Sequence, residues 1–154
     1  MTGKGRAIAD VVELLSYVDL TDIAHYEVSG VRRQSEPEED FEPGVRDPQV
    51  MVRHEGGKLE TRVRLAVDTD EARLVADIAA IYTLSEPLEV PDDVIAEFLE
   101  RVGVMAVYPY LRAAIHGSAA QIGADAPVLG LLRSGSINVQ PDEARVSTDE
   151  EESL

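Results

Sequence analysis

Cysteine and tryptophan are absent from the 154 residues, and aromatic side chains make up only 5% of them. Without a thiol there is no disulfide framework, no thiolate metal site and no cysteine nucleophile. Long apolar runs are also missing, since none approaches the roughly 20 residues that span a bilayer. The opening Met1-Thr2-Gly3-Lys4-Gly5-Arg6 leads into residues interrupted by Asp10 and Glu13, the pattern of a chain with no signal peptide. Positive charge is scarce: 14 Lys and Arg stand against 30 Asp and Glu, for a formal net charge of −16. A surface of that sign repels phosphate backbones and disfavours general nucleic-acid binding. Apolar residues, at 44%, suffice for the core of one domain. The expectation is a soluble, acidic, cytoplasmic protein.

The acids are clustered. Glu36, Glu38, Glu39, Asp40 and Glu42 lie between Pro37 and Pro43 or next to them, and Asp142, Glu143, Asp149, Glu150, Glu151 and Glu152 crowd the C-terminal stretch. Like charges this dense repel one another and bury little, so the first cluster reads as a solvated loop. The second reads as an acidic disordered tail over 141–154, after a single domain over 1–140.

Outside these clusters the hydrophobic spacing is informative. Ile8, Val11, Val12 and Leu15 describe one face of a helix over about 6–17. Ala24, Tyr26 and Val28 alternate with polar residues in a strand over about 21–33. Gly56-Gly57 between two extended runs signals a tight hairpin. The strand after it alternates Leu59, Thr61, Val63, Leu65 and Val67 against Glu60, Arg62 and Arg64, so one face is covered and one is wet. In the next strand Leu74, Ala76, Ile78, Ala80, Tyr82 and Leu84 share a face, but Val75, Ala79 and Ile81 make the other half apolar. That strand asks for cover on both sides. A four-stranded antiparallel meander is the plain reading. The second half is helical: Pro91, Asp92 and Asp93 suit a helix start, and a stripe from Val94 to Val102 stops at Gly103. Pro109 then begins or kinks a further helix that keeps its spacing to about Gly123.

Catalytic signatures are missing. There is no glycine-rich phosphate loop with its lysine and no dinucleotide fingerprint. His25, His54 and His116 stand apart, and none has a His or carboxylate at i+3 or i+4 to make a local metal pair. His116-Gly117-Ser118 brings a base and a hydroxyl together in sequence, but helical neighbours point in different directions. The sequence points to a non-enzyme with no catalytic residue, no metal and no cofactor.

Three motifs carry a resemblance. Val107-Tyr108-Pro109-Tyr110-Leu111-Arg112 resembles the signature of the SecB family of export chaperones: an aliphatic, an aromatic, Pro-Tyr, an aliphatic and Arg near the start of the long helix. Ala79-Ala80-Ile81-Tyr82-Thr83-Leu84 is similar to the end of that family's last long strand. Ala126-Pro127-Val128-Leu129-Gly130-Leu131 and Ile137-Asn138-Val139 resemble its post-helix stretch and closing Ile-Asn-Phe. The likeness covers about residues 20–140. Gly103-Val104 replaces a common Cys-Pro, and Ala113 replaces an acid. The N-terminal helix resembles instead the divergent SecB-like chaperones found with toxin–antitoxin pairs.

The resemblance implies an α+β fold, with a four-stranded antiparallel sheet, long C-terminal helices packed on one face and a short N-terminal helix. It implies an ATP-independent holdase that assembles as a homotetramer, a dimer of dimers, and binds unfolded polypeptides in exposed apolar grooves. The expected groove residues are Ile81, Tyr82, Leu84, Val107, Tyr108, Val128, Leu129, Leu131 and Leu132, with an ordinary core role as the alternative for each. Asp77 matches an acid that the family uses to dock the SecA motor; the alternative is a solubilising edge charge. Arg112 takes a structural role. The implied partners are export preproteins or an antitoxin, together with the motor, and no nucleic acid or membrane insertion. A different class stays open: an acidic interaction protein that captures a folded basic partner. A small hydrolase built on the scattered His and Asp residues is the third reading.

Overall fold

The computed structural model describes residues 5–130 and the backbone of Arg145–Val146. Its elements are β1 (Arg6–Ala7), α1 (Val11–Leu15), β2 (Val18–Arg32), β3 (Gly44–Glu55), β4 (Lys58–Asp68), β5 (Ala72–Leu84), β6 (Leu88–Glu89), α2 (Asp92–Phe98), a π-helical turn (Leu99–Gly103), α3 (Val104–Gln121) and β7 (Arg145–Val146). Four long antiparallel strands carry the helices on one face, the α+β arrangement expected. The strand order is β2-β5-β4-β3, with β7 beside β3.

The order corrects the meander. β2 pairs with β5, not with the strand that follows it. The connection 33–43 therefore passes over the β4–β5 turn, where the Arg33 backbone N–H donates to the Glu71 carbonyl at 2.7 Å. The Arg33 guanidinium donates to the Thr69 carbonyl and lies over the Phe41 ring, 4.5 Å from its centroid. The acids of this loop face outward, as like charges must. The β3–β4 turn is local: Gly56 and Gly57 have φ of 57° and 80°, the pair of positive values that a two-residue hairpin of this hand requires.

The N-terminal helix is shorter than its apolar spacing predicts. The Asp10 carboxylate accepts from the Glu13 backbone N–H at 2.8 Å, and the Glu13 carboxylate reaches back to the Ala9 N–H at 2.8 Å. This reciprocal cap starts the helix at Val11. Before it, Arg6–Ala7 pairs in parallel with Leu88–Glu89.

Gly103 does not stop the helix. Its φ of −62° is helical, whereas a glycine stop needs the left-handed region. Its reason is a close approach, because an added Cβ would lie 2.4 Å from Thr61 Cγ2 on β4. The helix runs on through Pro109 to Gln121, and Gly123, with φ of 75°, turns the chain out of it. There the Ala124 N–H donates to the Ala119 carbonyl, and Arg32 caps the carbonyls of Ile122 and Gly123.

The core lies between the sheet and the helices. Leu59, Val63, Leu74 and Ile78 meet Phe98, Leu99, Val107, Leu111 and Ile115. On the opposite face of β5, Ala79 is fully buried although none of the described helices covers it. Arg62 sits directly across from it in register, and the methylenes of such long side chains shield apolar surface. The cover that the sequence asked for on that side comes from neighbouring strands.

Candidate binding surface

Because α3 turns Val104, Val107, Leu111, Ile115 and Ala119 toward the sheet, its other side presents Met105, Pro109, Tyr110 and Ala113 to water. After Gly123 the chain comes back against this helix. The Tyr108 hydroxyl donates to the Gly130 carbonyl at 2.5 Å, and Leu129 is buried at 9% exposure. Val128 alternates with it and is 82% exposed. Between helix and return lies a shallow open pocket of about 290 Å³, lined by Pro109, Arg112, Ala113, His116, Pro127, Val128 and Leu129. The lining is mostly apolar and includes Arg112 and His116.

The expected groove residues fall into separate places. Tyr108, Val128 and Leu129 come together here. Tyr82, Leu84 and Val107 lie in the core, with exposures of 4%, 8% and 0%. Ile81 is half-buried on the far face of the sheet, where it shares a small depression with Arg53, Glu55, Lys58 and Glu60. Leu131 and Leu132 lie outside the described residues. Pro109, Arg112, Ala113 and His116 were not expected in the lining. Their signal was available, because a helix with Leu111 and Ile115 inward must turn 109, 112, 113 and 116 outward.

Asp77 also lies on the far face, and it is 3% exposed. Its two carboxylate oxygens accept from Arg62 Nε and Nη2, each at 2.8 Å, and Arg64 approaches at 3.4 Å. Arg64 bonds the Glu27 carboxylate as well, while Arg62 lies 4.0 Å from the centroid of the Tyr26 ring. The Tyr26 hydroxyl donates to Glu60 at 2.6 Å. The ionisation of the group follows these contacts. Arg64 and Ser29 hold Glu27 below the usual carboxylate range, and the Glu60 bond pushes the Tyr26 phenol up. The hydrogen bonds to Asp77 raise Arg62 further. Asp77 is thus buried and ion-paired with Arg62 and Arg64 on the far face of the sheet.

The three histidines stay apart. His25 and His116 are exposed and His54 is half-buried, while Ser118 is buried on the other side of α3 from His116. Among the described residues no group of three or more His, Cys, Asp or Glu could hold a metal ion. No described helix is long and apolar enough to cross a membrane. Burial lowers the His54 pKa below its ordinary 6.5. Below that pH the unfolded chain binds a proton that the folded chain resists, so His54 costs stability as pH falls and is neutral to it above. Chemical denaturation of His54→Gln between pH 7.5 and 5.5 should show a flatter loss of stability than the parent; an identical slope would remove His54 from the account.

No family model matches the chain. A curated relative, the SecB-like chaperone SmegB of Mycolicibacterium smegmatis, is 39% identical over 130 residues, covering 84% of this chain and 86% of the relative. Among solved structures, the Mycobacterium tuberculosis Rv1957 SecB-like chaperone in complex with a ChAD peptide from the Rv1956 HigA1 antitoxin superposes with a TM-score of 0.64 at 14% identity. That likeness covers 79% of this chain and 92% of the other.

Proposed function

This chain belongs to the SecB-like chaperones, a family of non-enzymatic proteins, and from that premise we propose that it is an ATP-independent holdase that captures extended segments of non-native polypeptide. The observation that carries the reading is the open furrow between α3 and the return after it, where Val128 stands in water beside a pinned and buried Leu129. Exposed apolar surface of this kind invites self-association. A charge of −16 per chain opposes it and also draws basic clients.

The client we favour is an extended apolar peptide of the antitoxin type, in line with the antitoxin peptide carried by the structural relative; export preproteins are the second client class. Motor docking through Asp77 finds less support, because that carboxylate is already engaged by Arg62 and Arg64. We place the assembly in the cytoplasm as a dimer of dimers. The edge of β2, unpaired among the described residues, and the exposed small residues of α3 outside the furrow lining, Gly117 and Ala120, would serve its contacts. The capture of a folded basic partner has no comparable support, since the acids of loop 33–43 share their space with Arg33 and Arg46.

The test is light scattering from a chemically unfolded protein diluted into buffer. Near-stoichiometric chaperone without ATP should suppress aggregation, and unchanged scattering would sink the proposal. Val128→Asp should weaken suppression severalfold while the unfolding midpoint stays within that of about 0.5 kcal/mol, as for other surface changes. Undiminished suppression would move the client elsewhere.

A further inference from the structure

At the edge of the sheet far from β2, the chain's own Arg145–Val146 pairs in parallel with Met51–Val52 of β3. The rest of that edge divides in two. Toward Gly44, Asp47 adopts φ of 44°, Pro48 has no N–H to offer, and the ladder with β4 slips between Arg46 and Gln49. This half is protected against an added strand. From Gln49 to Glu55 the pairing with β4 is regular up to the Gly56-Gly57 turn. That half would be an open template if nothing lay on it.

We propose that Arg145–Val146 is a built-in, displaceable occupant of the β3 edge, and that an extended segment of a client polypeptide replaces it by adding a strand along Gln49–Glu55. The client in this statement rests on the chaperone reading above; the edge contact does not. Among the described residues the pairing spans two residues in parallel register, a small part of the ladder that the edge allows, and parallel pairing is slightly the weaker kind. A longer segment can satisfy more of the outward backbone groups while placing alternate side chains over each face of the sheet. Half-buried Met51 and Arg53 lie on one face and buried Val50 and Val52 on the other, so an added strand meets apolar surface on both. Tethering makes the occupant an intramolecular competitor at high effective concentration, which lowers apparent client affinity by the fraction of time the edge is covered.

The test compares the full chain with its Arg145→Pro/Val146→Pro double variant, in which both strand N–H groups are removed outside the core. Two measurements are made: hydrogen exchange of the amides of 49–55 without client, and fluorescence anisotropy of labelled, reduced and carboxymethylated α-lactalbumin as the unfolded probe. The variant should exchange those amides faster and bind the probe about threefold to tenfold more tightly, an effect set by how fully the edge was covered. Unchanged exchange overturns the inference whatever the probe does. Faster exchange with equal affinity overturns the competition and leaves the chaperone reading standing. Faster exchange with no binding by either protein overturns the chaperone reading, and the competitor named here falls with it.

Discussion

Phe98→Ala should lower the free energy of unfolding by about 3–5 kcal/mol, the range for removing a buried aromatic ring. Phe98 is fully buried at the end of α2 and meets Tyr82 edge to face, with centroids 5.1 Å apart and an interplanar angle of 81°. Its loss would leave a cavity against Tyr82 in the core between the helices and the sheet. Urea denaturation followed by circular dichroism measures the effect, and a loss under 1 kcal/mol would show the site to be loosely packed. Tyr82→Phe is the informative contrast. The Tyr82 hydroxyl is buried without a well-formed hydrogen bond, although Thr61 is near enough to oppose the rise that burial imposes on its pKa. Deleting it should leave stability unchanged or raise it by up to about 1 kcal/mol, because an unsatisfied buried hydroxyl is a cost. Client capture should not change in that variant, since Tyr82 lies in the core.

Asp77→Ala is expected to cost about 2 kcal/mol. Removing one partner of a fully buried ion pair costs roughly 3–5 kcal/mol, because the charge left behind stays desolvated. Here Arg62 and Arg64 keep about a third of their side-chain surface in water, with relative exposures of 33% and 39%, and Tyr26, Glu60 and Glu27 remain beside them. The penalty is discounted accordingly. Asp77→Asn, which keeps the shape and one acceptor, should recover part of the loss. A stability equal to the parent's in Asp77→Ala would free this carboxylate for a role toward a partner.

Local pattern and tertiary placement separate cleanly along this chain. The alternation from Leu59 to Val67 was legible because a period of two needs only one wet face, and Gly56-Gly57 was legible because few turns tolerate two positive φ values. Strand order was not. Nothing local distinguishes a β2 that pairs with β3 from one that pairs with β5, since the loop 33–43 is long enough for either. Gly103 illustrates the limit at one residue: the sequence gives a glycine, but the sign of its φ and its contact with Thr61 belong to the packed molecule. The site was half legible. Tyr82 and Leu84 share their parity with Leu74, Ala76 and Ile78, which already placed them on the covered face and Ile81 on the other. Asp77 could be seen as an acid on an apolar face, but register alone brings it opposite Arg64 and near Arg62.

The π-helical turn at Leu99–Gly103 inserts one residue into the winding between α2 and α3. Core positions accordingly step from Phe98 and Leu99 to Gly103 and Val104, five apart, before resuming at Val107, Leu111 and Ile115. A homologue with uninterrupted winding would have to omit one residue at this place or swing its whole C-terminal half by about 100°, carrying the furrow out of position. In an alignment, a single-residue gap near Arg101 is therefore the footprint that this geometry should leave.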